Sequence, residues 1–200
     1  MYRRKDPYYT RAKAAGFRSR AAYKLIELDK RFRLLRPGDH VVDLGAWPGG
    51  WLQVAAQRVG VSGIVVGVDL KRIDPLPSPV ECLCGDLREA ETIAAIRNRC
   101  GGAADIILSD MAPRLSGVRA TDDARACELV DCAITVAIAL LKPQGRLVLK
   151  LFQSVDMEHR LARLRLLFTS VTLMRPEATR NGSAEVYAVA SGFHVEPQKI

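Results

Sequence analysis

Between an apolar pair, Val41-Val42, and a helix-like run from Trp51 to Arg58 lies a turn with few side chains: Asp43-Leu44-Gly45-Ala46-Trp47-Pro48-Gly49-Gly50-Trp51. A strand that passes through glycines directly into a helix builds a βα unit. In such a unit the backbone can approach a ligand closely, and the free N–H groups of the first helical turn open onto the same space. Spacing excludes two occupants. A dinucleotide fingerprint requires Gly-x-Gly-x-x-Gly, and counted from Gly45 the second glycine position is Trp47. A phosphate-binding loop requires Gly-x-x-x-x-Gly-Lys-Ser/Thr. Gly45 and Gly50 have that spacing, but Trp51-Leu52 stand where the lysine and hydroxyl belong. What remains is a loop preceded by an acid, Asp43, with no cation beside it, which suits a ligand carrying positive charge or an amine. S-adenosylmethionine, with its sulfonium and α-amino groups, is such a ligand; a plain tight βα turn is the competing reading of these residues alone.

Short apolar runs then alternate with helical patterns. Strands are expected at 40–44, 63–70, 80–83, 105–109, 146–152, 171–174 and 185–190, and helices at 50–59, 88–99, 122–141 and 156–167. A further helix from about Ala22, capped by Ser19, precedes them, and Thr121 is the expected cap of the long helix. Strands alternating with helices predict a single-domain, Rossmann-like α/β fold: a seven-stranded, mostly parallel sheet with helices on both faces. The last two strands are joined by a short polar stretch without a helix, so the final strand is expected to be reversed. Residues 1–16 read as a basic, mobile arm, 17–195 as the domain and 196–200 as a tail.

The longest apolar stretch, Cys132 to Leu141, is ten residues, far short of the roughly 20 that span a bilayer, so no membrane is expected. The basic N-terminus leads into no apolar segment, and the five cysteines contain no Cys-x-x-Cys pair. With three scattered histidines they suggest neither a metal site nor a disulfide framework. A cytoplasmic monomer is the expectation. Charge is uneven: residues 1–36 hold 12 of the 30 Lys and Arg but three of the 22 acids, leaving the remainder almost neutral. Tyr2, Tyr8, Tyr9, Phe17, Tyr23 and Phe32 are interleaved with these cations. Cations for phosphates and rings for unstacked bases are what RNA binding needs; a solvated basic helix is the competing reading.

In a doubly wound sheet the ligand sits outside the carboxyl ends of the strands. The second strand ends in Asp69, where a ribose hydroxyl partner belongs; the third ends Cys84-Gly85-Asp86, an acceptor for an exocyclic adenine amine. The fourth ends Ser109-Asp110-Met111-Ala112-Pro113, and the fifth carries Lys150 in an apolar run, where an unpaired lysine is rare.

Five segments taken together resemble the FtsJ/RrmJ family of ribose 2′-O-methyltransferases, closest to its bacterial large-subunit rRNA branch. They are Arg18-Ser19-Arg20-Ala21-Ala22-Tyr23-Lys24-Leu25, the Asp43 to Trp51 loop, Ser109 to Pro113, Leu149-Lys150-Leu151-Phe152-Gln153 and Glu185-Val186-Tyr187. The resemblance runs over about residues 8 to 193. It implies a class I methyltransferase that uses S-adenosylmethionine and acts on a uridine ribose of large-subunit rRNA in the 50S particle. Carried over position by position, the catalytic set is Lys24, Asp110, Lys150 and Glu185. The cofactor would be held by Gly49 and Trp51 at the loop, Asp69 at ribose, Asp86 at adenine and Asp110 near the methionine amine. Lys150 would act as general base or as a protonated stabiliser of the developing alkoxide; the residues leave both open. Two departures stand out: the family has a small residue at Trp47, and Asn181, Gly182 and Ala184 do not supply its further arginines. Methylation of a tRNA anticodon loop, and a non-catalytic RNA-binding assembly factor, are the rival functions.

Overall fold

The computed structural model describes residues 7–114, 116–153, 157–180 and 182–194. Seven strands form one sheet: β1 His40–Leu44, β2 Ile64–Asp69, β3 Val80–Cys84, β4 Ala104–Ser109, β5 Leu141–Phe152, β6 Phe168–Met174 and β7 Glu185–Phe193. Their order is β3-β2-β1-β4-β5-β7-β6; β7 runs antiparallel to both of its neighbours, and all other pairs are parallel. The reversed last strand is thus inserted between β5 and β6. The topological switch lies between β1 and β4, the place where such sheets open a cleft at their carboxyl ends.

Helices α1 Pro7–Ala14, α2 Ala22–Phe32 and α3 Gly50–Val59 lie on one face, and α4 Ala90–Arg99, α5 Arg119–Leu140 and α6 Met157–Leu167 on the other. Central strands buried on both faces need continuous apolar runs rather than alternation. Val41, Val65, Ile106 and Val148 accordingly pack under α2 and α3, while Val42, Val66, Ile107 and Leu147 pack under the other layer.

Four local readings differ. Within 1–16, expected as a mobile arm, residues 7–14 form a helix against α2 with Ala12 buried; residues 1–6 and the 196–200 tail lie outside the described residues. Composition hides this helix, because rings and guanidinium groups hold it in place of an apolar stripe: Tyr8 meets Tyr23 at 5.7 Å and Arg11 lies 4.8 Å over Tyr23. Ser19 does not cap α2; Ala21 is the N-cap and makes no side-chain cap bond. Thr121 does not cap α5, which begins at Arg119; instead Asp122 reaches back to accept from the Ser116 and Gly117 N–H groups at 2.7 and 3.1 Å. Strand β5 begins at Leu141 rather than 146, because Leu141 pairs with Ala104 before a register irregularity that admits Gln144 with φ 64°.

Candidate active site

Register assembles the site. Strands β4 and β5 run parallel with Ser109 opposite Leu149, so the next residues, Asp110 and Lys150, come side by side. Lys150 Nζ donates to Asp110 Oδ1 at 2.7 Å and to the Asp110 carbonyl oxygen at 3.0 Å. In the antiparallel pair β5 and β7, Lys150 lies opposite Tyr187 and Phe152 opposite Glu185. Alternation along a strand then puts Lys150, Tyr187 and Glu185 on one face.

That face is covered by α2, which brings Lys24. Its Nζ donates to Glu185 Oε1 at 2.6 Å and to Tyr187 Oη at 3.0 Å, and lies 3.7 Å from Asp110 Oδ1. Glu185 Oε2 is 3.8 Å from Lys150 Nζ. Lys24, Lys150 and Glu185 are all buried. Two lysines and two acids thus face one another, so each buried charge of the cluster has an opposite partner. All four residues expected from the resemblance are therefore in one cluster.

Tyr187 is a fifth member that the expected set left out. Its Oη donates to Asp110 Oδ1 at 2.5 Å, and its ring packs 5.9 Å from that of Trp51. Burial, the charges of Asp110 and Glu185 and the bond to Asp110 push its phenol well above the ordinary tyrosine range, so it stays a donor. The signal was present: Tyr187 stands two residues after Glu185 on a strand, hence on its side.

Helix α2 also holds what surrounds the cluster. Glu27 accepts from the backbone N–H groups of Glu177 and Ala178 at 2.6 and 3.1 Å. Arg175, within the connection leading to β7, binds the carbonyls of Ser183 and Glu185 at 2.5 and 3.4 Å. Arg18, counted among the cations of the basic segment, is turned inward. It donates to the carbonyls of Asp74 and Pro75 at 2.6 and 2.7 Å, and to Pro48 at 3.3 Å.

On the cofactor side the expected residues divide. Gly49 is left-handed with φ 108°, and a Cβ there would press on Arg18 and Leu76, so its conformation makes the turn into α3. The indole of Trp51 is not at the loop surface: it is buried and donates from Nε1 to the Ala21 carbonyl at 2.7 Å. Only the Trp51 backbone remains for a ligand. Asp69 ends β2 and already accepts the N–H groups of Trp47 at 3.0 Å and Lys71 at 2.8 Å; a carboxylate has room for a hydroxyl as well. Leu70, beside it and 70 % exposed, offers an apolar face that no sequence pattern singles out. Asp86 is bridged by the guanidinium of its neighbour Arg88, which holds it down at about 2, so it is ionised throughout the ordinary pH range. Asp110 gives Oδ1 to Lys150, Lys24 and Tyr187, which leaves its second carboxylate oxygen for the expected amine.

Asp43 is better placed for that amine. It is 1 % exposed, and its Oδ2 has no partner among the described residues. Burial, then Asp110 and Asp69, raise its carboxyl well above the usual range. A desolvated acceptor at the mouth of a glycine loop fits a ligand with an ammonium group, which supplies the missing donor and the missing charge. The donor set thus fits S-adenosylmethionine. Among the described residues no cluster of His, Cys, Asp and Glu suits a metal ion, and no helix is long and apolar enough to cross a membrane.

Comparison with known proteins agrees with this geometry. Residues 17–193 match the family model of FtsJ-like methyltransferases. The chain is 42 % identical over 200 residues to the ribosomal RNA large subunit methyltransferase E of Methanobrevibacter smithii, covering all of this chain and 94 % of that protein. It is 49 % identical over 183 residues to the protein of the same name from Azoarcus sp., covering 91 % of this chain and 89 % of the relative. Among solved structures, a putative ribosomal RNA methyltransferase from Plasmodium falciparum superposes with a TM-score of 0.77 at 28 % identity, over 88 % of this chain and 98 % of the other. Glycine loop, carboxylate-ended strands, reversed β7 and paired lysines thus coincide with a match over nearly the whole domain, and the chain belongs to the FtsJ-like methyltransferase family.

Proposed function

We propose that the protein transfers the methyl group of S-adenosylmethionine to the 2′-hydroxyl of a uridine ribose in large-subunit rRNA within the ribosomal particle. The observation that carries the chemistry is the convergence of Lys150, Lys24 and Tyr187 on the single oxygen Asp110 Oδ1, at 2.7, 3.7 and 2.5 Å. The relatives' names support rRNA as the substrate class, and the excess of cations in residues 1–36 supports a phosphate-rich partner.

When bound, S-adenosylmethionine supplies an electrophilic methyl on a sulfonium, whose leaving group needs no acid. The chain's residues have to deal with the nucleophile, since a sugar hydroxyl is scarcely ionised at neutral pH. Lys150 is the general base in this reading. Two directions of its tetrahedral nitrogen are taken by the Asp110 carboxylate and carbonyl, which aim what remains at the cleft. Lys24, fixed by Glu185 and Tyr187, sets a positive charge where the alkoxide develops. Asp43, Asp69, Leu70, Asp86 and the loop backbone at Gly49 and Trp51 would hold the cofactor.

The test is methyl transfer from labelled cofactor to large subunits purified from a strain lacking the protein, with tRNA as control and mass spectrometry of the product nucleosides. 2′-O-methyluridine from rRNA alone is expected; a methylated base, or label in tRNA, overturns the reading. Lys150→Ala and Lys150→Arg should both abolish transfer while cofactor affinity measured by calorimetry stays within a few-fold, because arginine does not give up its proton. Near-normal activity of Lys150→Arg would remove the general-base role.

A further inference from the structure

Trp47 stands at the rim of the cleft with 49 % of its surface exposed, whereas the other tryptophan of the chain, Trp51, is 3 % exposed. Its backbone is tied to the end of β2. The Trp47 N–H donates to Asp69 Oδ2 at 3.0 Å, and the second oxygen of the same carboxylate takes the Lys71 N–H at 2.8 Å. Lys71 folds back over the indole, with Nζ 4.1 Å from the ring centroid. One carboxylate thus ties an exposed aromatic face to a cation at the end of β2. Arg72, the next residue, is exposed as well. This rim borders the reacting cleft, since Asp69 ends β2 and Asp110 follows β4, the two strands that flank β1 and its Asp43.

A half-exposed indole with an ammonium group over it, followed in the chain by an exposed arginine, has the chemistry of a polynucleotide contact: bases stack on aromatic faces, and ammonium or guanidinium groups neutralise the phosphates. The cofactor is the poorer match. It carries no phosphate, and its one anion, the methionine carboxylate, would lie with the ammonium group at Asp43 rather than at the ribose end by Asp69, where Lys71 and Trp47 are tied. Folding does not account for the indole either, because half of it stays in water while Asp69 fastens only its backbone.

We propose that Trp47, Lys71 and Arg72 form a docking shelf for a nucleotide of the RNA substrate other than the one methylated, with its base stacked on the indole and its phosphates facing the two cations. The inference rests on the cleft around Asp43, Asp69 and Asp110 holding the cofactor.

Steady-state methylation of undermethylated large subunits tests it. Trp47→Ala should raise KM for the particle by roughly five- to a hundredfold, the range of one deleted base stack, with kcat and cofactor affinity within about twofold. Trp47→Phe should restore most of the loss, which a merely structural role would not predict. Lys71→Ala should flatten the dependence of log KM on log salt by about 0.7 for each single-strand phosphate that the ammonium neutralises. An unchanged KM in Trp47→Ala overturns the shelf, and so does a parallel loss of cofactor affinity, which would assign the ring to the adenine. Asp69→Asn, measured alongside, should weaken cofactor binding; if it does not, the underlying cofactor site fails irrespective of Trp47.

Discussion

The Tyr187 hydroxyl donates to Asp110 Oδ1 at 2.5 Å while accepting from Lys24 at 3.0 Å, so one buried phenol joins the carboxylate that holds Lys150 to the lysine supplied by α2. Because its phenol is raised far above the usual range, this bridge has a fixed donor direction at every working pH. Asp110 and Glu185 each reach both lysines only at one short and one long distance, and Tyr187 adds a hydrogen-bonded link between the two short pairs.

Tyr187→Phe keeps the ring against Trp51 and deletes only the bridge. A buried hydrogen bond to a charged group is worth about 1.5–3 kcal/mol, and urea unfolding should show a loss of that order. With Asp110 less firmly held, Lys150 gains freedom at the reacting oxygen, and kcat should fall about ten- to a hundredfold. Cofactor affinity should stay within a few-fold. A variant with wild-type kcat would show that Lys24 and Lys150 are held without Tyr187.

Gly50 is tied to the basic motif by close packing rather than by a ligand. A Cβ on Gly50 would overlap Ser19 Oγ and come within 3.3 Å of Ser19 Cβ. Gly50→Ala therefore pushes the segment leading into α2 away from α3, and with it Arg18 and the helix that carries Lys24. The expected cost is about 1–3 kcal/mol, as for other overpacked sites. Ser19→Ala removes the nearest atom, so the double variant should recover most of the stability; a double-mutant cycle by chemical denaturation measures the coupling. Additive effects would show that the two residues do not constrain each other.

The packing of Gly50 on Ser19 bears on what the sequence makes legible. The βα loop, the alternation of elements and the positions of Asp110 and Lys150 on their strands can be read directly, because apolar runs and charges at strand ends are local patterns; Lys24 and Glu185 join the set only through the family resemblance. Tyr187 and the unpartnered oxygen of Asp43 are products of register and burial; the bond from Tyr187 to Asp110 alone spans 77 positions of the chain. Trp51 divides in a way the motif does not reveal: its backbone lies in the loop, while its indole is buried against Tyr187. Helix α1 escapes a pattern search because cation–π and ring contacts hold it, and the cap positions of α2 and α5 shift because backbone turns and Asp122 satisfy those helix ends.

Asp43 gives the last prediction, and its sign follows from burial. Its carboxyl is raised in the folded chain, by desolvation first and then by Asp110 and Asp69, while in the unfolded chain it returns to about 3.9. The folded state therefore binds more protons than the unfolded one above that value. The stability Asp43 contributes is fully present below about pH 3.9 and declines as pH rises through its raised folded value. At neutral pH the raised carboxyl opposes folding, because the unfolded chain releases the Asp43 proton more readily than the folded one. Asp43→Asn removes the titrating group at similar size, so the variant should unfold at higher temperature than wild type at pH 7, by about 2–4 °C for each kcal/mol. The difference should shrink as the pH is lowered toward 4. The same substitution removes the acceptor proposed for the cofactor's ammonium group, and calorimetry should show weaker S-adenosylmethionine binding, by about tenfold or more. Thermal melts over the pH series, with and without cofactor, check both effects. A variant less stable than wild type at pH 7 that binds cofactor normally would mean that Asp43 is a structural acceptor whose partner is the chain itself.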